Sequence, residues 1–151
     1  WLMSENDLVI GRKSPSFDYV SQDGKKISLK DFLGQKVLLY FYPRDNTPGC
    51  TLQACSLRDS KKDFEKFKIK VIGVSKDSEK SHKNFSSKYN LNFTLIPDPE
   101  TKIISKYGVI NEKGSAKRVS FLIDEKGKII NIWKKVNTRE HAKEVLDFID
   151  S

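Results

Sequence analysis

The stretch KVLLYFYPRDNTPGCTLQAC, residues 36–55, decides the fold. It begins with a nearly continuous apolar run, 36–42, of the kind found in a central strand that is covered on both faces. Pro43 ends this run, and a polar loop follows. Pro48 suits the first position of a helix, and Thr47 before it is a candidate N-cap. A buried strand that leads through a short loop into a helix predicts an α/β arrangement.

Strand and helix signals alternate along the rest of the chain. We predict further strands at 17–20, 26–29, 71–74, 93–96, 118–124 and 128–133, and helices at 48–67, 78–89, 102–107 and 139–149. The first two strands flank an Asp-Gly turn and form a hairpin, as do the last two around Gly127. The pattern predicts an α/β fold with a mixed central β-sheet, helices on both faces and an N-terminal β-hairpin.

Length and composition limit the class of protein. A chain of 151 residues predicts a single domain over residues 1–151. Hydrophobic residues make up 37% and charged residues 32%, and no apolar run approaches a membrane-spanning length, so we expect a globular protein away from membranes. The net charge of +8 is spread along the chain without a long basic run or a nucleic-acid-binding motif, and we expect no nucleic-acid partner.

The chain has only two cysteines, Cys50 and Cys55. A small disulfide-stabilised scaffold would carry four or more, and a structural zinc site would need two further ligands at suitable spacing, which His82 and His141 do not provide. The sequence therefore predicts no metal site. It leaves two interpretations of the pair, as unremarkable thiols or as a redox pair. The N-terminus has no signal-peptide pattern, so we expect a cytoplasmic protein, in which a disulfide is usually transient and catalytic.

The predicted helix distinguishes the two thiols. Cys50 lies in its first turn, where the helix dipole and free backbone N–H groups favour the thiolate, whereas Cys55 lies deeper and gains less. Five residues along a regular helix separate two Cα atoms by roughly 8.7 Å. A disulfide tolerates only about 4.4–6.8 Å. The two cysteines can therefore form a disulfide only if this part of the helix unwinds.

The segment from Pro43 to Cys50, PRDNTPGC, resembles the peroxiredoxin signature, in which a proline, a threonine and the reactive cysteine stand at fixed offsets. The longer stretch 41–55, with its second cysteine five residues on, is similar to the bacterioferritin-comigratory or peroxiredoxin Q group. LNFTL at 91–95 and RVSFLID at 118–124 agree with that group, and the resemblance covers nearly the whole chain. It implies a thioredoxin-like fold and thiol peroxidase activity against hydrogen peroxide or alkyl hydroperoxides.

The resemblance also implies a role for each of five residues. Cys50 would be the peroxidatic cysteine, whose thiolate attacks a peroxide oxygen and becomes a sulfenic acid. Cys55 would resolve it to an intramolecular disulfide, which a thioredoxin-like reductant would reduce again. Thr47 would hold the peroxide, Pro43 would shield the site from water, and Arg118 would stabilise the thiolate. No cofactor is implied, and the group favours a monomer or weak dimer.

Two other functions stay open from the sequence. The first is a protein thiol–disulfide oxidoreductase on the same fold, although the Cys-x-x-Cys motif that would favour it is absent. The second is a basic binding module whose thiols are incidental.

Two other arginines must be compared with Arg118. Arg44 and Arg58 are closer to Cys50 in sequence than Arg118 is. Arg58 would stand roughly 12 Å along the helix axis, too far for direct contact, while Arg44 could contribute to the rim.

The segment 110–117 is shorter than in the group that the chain resembles, so we expect an altered pocket rim. We expect His82 to be structural, and His141 to lie on the surface of the last helix.

Overall fold

The computed structural model describes residues 9–21 and 24–150, and its strands and helices alternate there largely as the sequence predicts. The strands are β1 (Asp18–Val20), β2 (Lys26–Ser28), β3 (Lys36–Phe41), β4 (Ile69–Ser75), β5 (Thr94–Pro97), β6 (Val119–Ile123) and β7 (Ile129–Trp133). The helices are α1 (Pro48–Asp59), α2 (Lys61–Lys66), α3 (Glu79–Lys88), α4 (Lys102–Lys106) and α5 (His141–Asp150).

The predicted mixed sheet is confirmed. Five strands pair in the order β5-β4-β3-β6-β7, with β3, β4 and β5 parallel and with β6 and β7 antiparallel to their neighbours. The strands β1 and β2 pair separately as the predicted N-terminal hairpin. Because parallel strands need a crossover connection, α1 and α2 link β3 to β4, and α3 links β4 to β5. The carboxyl ends of β3 and β4 therefore lie side by side.

The central strand β3 is buried on both faces, as its apolar run predicts. Val37, Leu39 and Phe41 belong to a core cluster that also includes residues of α4. Leu38 and Tyr40 point the other way, into a cluster formed with residues of α1, α2, α3 and α5. This alternation follows from the two-residue period of a strand. Helices consequently cover both faces of the sheet.

Two expectations from the sequence are wrong. The helix predicted at 48–67 is interrupted at Ser60, which leaves helical geometry and separates α1 from α2. Serine competes for backbone hydrogen bonds in this way, and the break lets Phe64 enter the core together with Ile69 of β4. His141 is fully buried and not on the surface, because the inward-facing Ser120 hydroxyl supplies a polar partner 2.8 Å from its Nε2.

Parts of the sequence analysis fall outside the described residues. These are the first eight residues, in which no signal-peptide pattern was found, and Asp23 of the predicted hairpin turn. Within the described part of the chain, no helix combines the length and the apolar character needed to cross a membrane.

We predict that Gly73→Ala destabilises the fold. Gly73 lies opposite Tyr40 in the β3–β4 ladder, and a Cβ atom added there would stand 2.9 Å from the ring of Tyr40 and 2.9 Å from Leu95 Cδ2. Overpacking of this kind typically costs about 1–3 kcal/mol. Urea unfolding measures the cost, and Asn84→Ala on the exposed side of α3 serves as the control. An unfolding midpoint equal to that of the parent would contradict the tight packing at Gly73.

Candidate active site

The site lies where β3 and β4 end, at the point where the chain leaves β3 and enters α1. Such positions collect functional residues in α/β sheets because loops from neighbouring strands meet there. Pro48 occupies a first-turn position of α1, and Thr47 is its N-cap residue, as predicted. Cys50 consequently lies in the first turn of α1, with only 2% of its surface exposed. The sulfur is thus close to free backbone N–H groups and shielded from bulk water.

Arg118 meets Cys50 although 68 residues separate them in the chain. The Nη2 atom of Arg118 donates to the Cys50 sulfur at 3.3 Å, and Nη1 donates to Gln53 Oε1 at 2.7 Å. Since Gln53 is neutral, it orients the guanidinium without cancelling its positive charge. A Cβ at position 49 would lie 3.1 Å from Nη2, so Gly49 gives Arg118 room to approach. The arrangement places a fixed cation beside a buried sulfur.

Sequence reasoning missed Gln53. It appeared only as one of the residues between the two cysteines. A polar residue three positions after Cys50 shares its helix face, and that spacing is the signal that could have identified it. Its amide nitrogen is buried and has no hydrogen-bond partner among the described residues.

Pro43 and Thr47 both lie in the loop before α1 and are half-buried. The Thr47 hydroxyl donates to the Arg44 carbonyl oxygen at 3.0 Å, and it makes no capping bond to the backbone of α1. The Pro43 carbonyl accepts from the Ser115 hydroxyl at 2.8 Å. Ser115 belongs to the short 110–117 segment, which folds into a tight turn closed by an Ile110–Ala116 bridge. This segment therefore contacts the loop directly and contributes to the rim of the site.

The second thiol, Cys55, is half-buried in the same helix, and both cysteines are free. The helix is continuous from Pro48 to Asp59, so the sequence argument about distance applies to the folded protein. Two residues five positions apart in regular helix stand roughly 8.7 Å apart at their Cα atoms, which is too far for a disulfide. The site as folded holds two separate thiols.

The other two arginines near Cys50 in sequence point elsewhere. Arg58 donates to its neighbour Asp59 at 2.9 Å and to the Tyr89 carbonyl oxygen at 2.6 Å. Arg44 is exposed in the loop. Of these three arginines, Arg118 is the one that donates to the sulfur.

A buried polar cluster lies beneath the loop. One oxygen each from Asp45 and Asp77 and a ring nitrogen of His82 lie within 4.8 Å of one another, a spacing that could hold a metal ion. These groups already bond within the protein: His82 Nδ1 lies 2.8 Å from Asp45 Oδ2, and Asp77 Oδ2 accepts from the Asp45 backbone at 2.9 Å. The cluster is satisfied as a hydrogen-bonded unit. His82 is fully buried, as its helical spacing with Phe85 predicts.

The second buried histidine lies behind Arg118. His141 Nδ1 is 3.1 Å from Glu144 Oε1, and Nε2 is 2.8 Å from the Ser120 hydroxyl. Burial lowers the pKa of His141, Arg118 acts in the same direction, and Glu144 opposes them. A neutral ring here leaves Arg118 without a second cation behind it.

Comparison with known proteins identifies the family. The AhpC/TSA family model matches residues 10–132. A putative peroxiredoxin bcp from Coxiella burnetii is 43% identical over 146 residues, which cover 92% of this chain and 97% of the relative. Peroxiredoxin Bcp from Bacillus subtilis is 39% identical over 146 residues, covering 92% of this chain and 93% of the relative.

Solved structures agree with the sequence relatives. A crystal structure of a cysteine variant of Xylella fastidiosa PrxQ superposes with a TM-score of 0.90 at 31% identity, covering 95% of this chain and 96% of that one. The bacterioferritin comigratory protein of Xanthomonas campestris, studied for alkyl peroxide reduction, gives a TM-score of 0.83 at 31% identity, with coverage of 89% and 90%. These matches confirm the predicted thioredoxin-like fold. The chain belongs to the AhpC/TSA family and, within it, to the Bcp/peroxiredoxin Q group of thiol peroxidases.

Proposed function

We propose that Cys50 is the peroxidatic cysteine and that it reduces hydrogen peroxide and alkyl hydroperoxides. The observation that carries this assignment is the contact of Arg118 with a buried sulfur at the start of α1. The helix terminus and the guanidinium both stabilise negative charge on sulfur, and the thiolate is the nucleophilic form. Cys55 has no comparable position, since it lies deeper in the helix.

The chemistry requires only the residues at hand. The thiolate of Cys50 attacks one peroxide oxygen, the O–O bond breaks, and the sulfur is oxidised to sulfenic acid. The other oxygen takes a proton and leaves as water or as an alcohol. Arg118 stabilises the negative charge that moves from sulfur to the leaving oxygen. Thr47 holds the peroxide by its hydroxyl after turning from the Arg44 carbonyl, and Pro43 limits access of water.

Resolution and recycling complete the cycle. The Cys55 sulfur attacks the sulfenic acid, water leaves, and an intramolecular disulfide forms after the first turns of α1 unwind. A thioredoxin-like reductant then restores both thiols by exchange. We propose that this occurs in the cytoplasm, where thiol reductants keep cysteines reduced, and that the protein acts as a monomer or weak dimer in one domain.

Replacement of each cysteine tests the assignment. We expect Cys50→Ser to abolish peroxide consumption, because serine is a far weaker nucleophile. Cys55→Ser should consume one equivalent of peroxide and then stop, because it cannot form the disulfide on which the reductant acts. Peroxide loss and free-thiol counts measure both variants against the parent.

The alternative, a protein thiol–disulfide oxidoreductase, is tested with the same proteins. Rapid insulin reduction without peroxide consumption would favour that function over peroxide reduction. Peroxide reduction by Cys50→Ser at the parental rate would contradict the role of Cys50.

The role of Arg118 has its own test. Arg118→Met removes a hydrogen bond from a charged group to the reacting sulfur, a loss of about 1.5–3 kcal/mol. This corresponds to an oxidation rate about 10- to 150-fold lower. Stopped-flow measurement of Cys50 oxidation gives the rate. Arg44→Met is the matched control, because Arg44 is exposed in the loop. Equal slowing of Cys50 oxidation in the two variants would contradict a specific role of Arg118 at the sulfur.

Oxidation should loosen a defined segment. We predict that amide protection falls over residues 47–57 when the disulfide forms, since both cysteines cannot bond within intact α1. Hydrogen exchange in the reduced and oxidised protein measures this, and α3 (Glu79–Lys88) provides the internal control. Identical protection of 47–57 in the two states would contradict unwinding.

A further inference from the structure

The loop that carries Pro43 and Thr47 is held from below by a buried carboxylate. Asp45 is 6% exposed, and both of its oxygens have donors. Its Oδ1 accepts from the Tyr42 hydroxyl at 2.6 Å, and its Oδ2 accepts from the Ser81 hydroxyl at 2.8 Å and lies 2.8 Å from His82 Nδ1. Two hydroxyl groups and one ring nitrogen therefore surround this carboxylate.

The surroundings of His82 determine where its protons are. The Nε2 atom faces the Ile96 carbonyl oxygen at 3.2 Å and the Ser75 hydroxyl at 3.4 Å. The Ser75 proton goes to Asp77 Oδ2 at 2.6 Å, and the Tyr42 proton goes to Asp45. The Tyr42 hydroxyl also lies 3.4 Å from Nδ1, but both hydroxyl protons are directed to carboxylates. The remaining partners of the two ring nitrogens, Asp45 Oδ2 and the Ile96 carbonyl oxygen, are acceptors. The ring satisfies both contacts only if both of its nitrogens carry a proton.

The same cluster fixes the loop backbone. The N–H group of Asp45 donates to Asp77 Oδ2 at 2.9 Å. Asp77 follows β4, and His82 belongs to α3, so these contacts tie the loop after β3 to elements that take no part in the unwinding of α1. Between this anchor and α1 stands Asn46, whose backbone is left-handed with a φ of 62°.

We propose that His82 is an imidazolium whose buried ion pair with Asp45 positions the active-site loop for reaction with peroxide. This inference rests on the proposed function of Cys50. Asp45 and His82 are positioning residues, because they act on the reaction through Pro43 and Thr47. The pair holds the loop in its folded form, and the step that depends on this form is the oxidation of Cys50. Disulfide formation, which requires α1 to unwind, does not depend on it.

The protonation of His82 is measured on the unaltered reduced chain. Two-dimensional NMR of the ring nitrogens should show two protonated nitrogens on His82. His141 is the internal reference, since its Nδ1 faces Glu144 and its Nε2 has the Ser120 hydroxyl as a donor, which predicts one protonated nitrogen. The chain has no other histidine, so the two sets of signals suffice. A single protonated nitrogen on His82 would overturn the ion pair.

The positioning role is tested by separating two rates. In Asp45→Asn we expect Cys50 oxidation to slow about 10- to 100-fold, the range that misplacement of reacting groups produces, while disulfide formation is not slowed. Asp98→Asn is the matched control: Asp98 is also buried, and its carboxylate accepts from the backbone of Lys102 and Ile104 in α4 and not from the loop. It should lower stability and leave Cys50 oxidation at the parental rate.

The outcomes are distinct. Oxidation of Asp45→Asn at the parental rate, or equal slowing of both steps, would overturn the positioning role. A parent protein that does not oxidise Cys50 with peroxide would refute the proposed function itself, while the NMR result would still decide whether the ion pair exists.

Discussion

The contact between the Arg118 guanidinium and the Cys50 sulfur is the interaction on which the rest of the site depends. It joins the first turn of α1 to the start of β6, so both the helix boundary and the β3–β6 register must be correct. In that register Val119 pairs with Phe41, which brings Arg118 level with the loop after β3. A shift by one residue would turn Arg118 to the opposite face of the sheet. The chemistry of one sulfur therefore depends on the pairing of two strands.

In the proposed mechanism, the helix that activates the Cys50 sulfur also opposes its disulfide with Cys55. Ala54 and Leu57 are buried within α1, and burial of a leucine side chain is worth about 1.5–3 kcal/mol. In the proposed cycle, part of this packing is lost when Cys50 and Cys55 bond. For a two-electron couple, about 1.4 kcal/mol of unwinding cost corresponds to about 30 mV in the reduction potential, and the cost makes the disulfide easier to reduce. Packing of α1 thus favours return to the thiols, which suits recycling by a small thiol reductant.

Local patterns predicted the strand–loop–helix unit and the position of Cys50 in it, because the signals for a buried strand and for a helix start are contained in a few neighbouring residues. The interruption at Ser60 depends on packing of Phe64 against β4, and the burial of His141 depends on Ser120, so neither follows from neighbouring residues. The role of Arg118 was inferred from the family resemblance, because nothing in the 67 residues between Cys50 and Arg118 indicates that the two side chains meet. Gln53 had a local signal, the helical spacing of three, that we did not use.

The division between fixed and moving parts follows from where the hydrogen bonds lie. Asp45 is held by Tyr42 just after β3, by Asp77 just after β4 and by His82 of α3. The Thr47 hydroxyl, by contrast, donates to the Arg44 carbonyl within its own loop. Asn46 stands between them with left-handed backbone geometry, which asparagine tolerates better than most residues. In the proposed cycle, unwinding that begins in α1 would pass Thr47 at little cost, but beyond Asn46 it would have to break the buried contacts of Asp45 with Tyr42 and His82. Buried polar groups that lose their partners are costly, so we expect the unwinding to end there. In the proposed cycle, the first turns of α1 would unwind and re-form while the loop up to Asn46 stays in place.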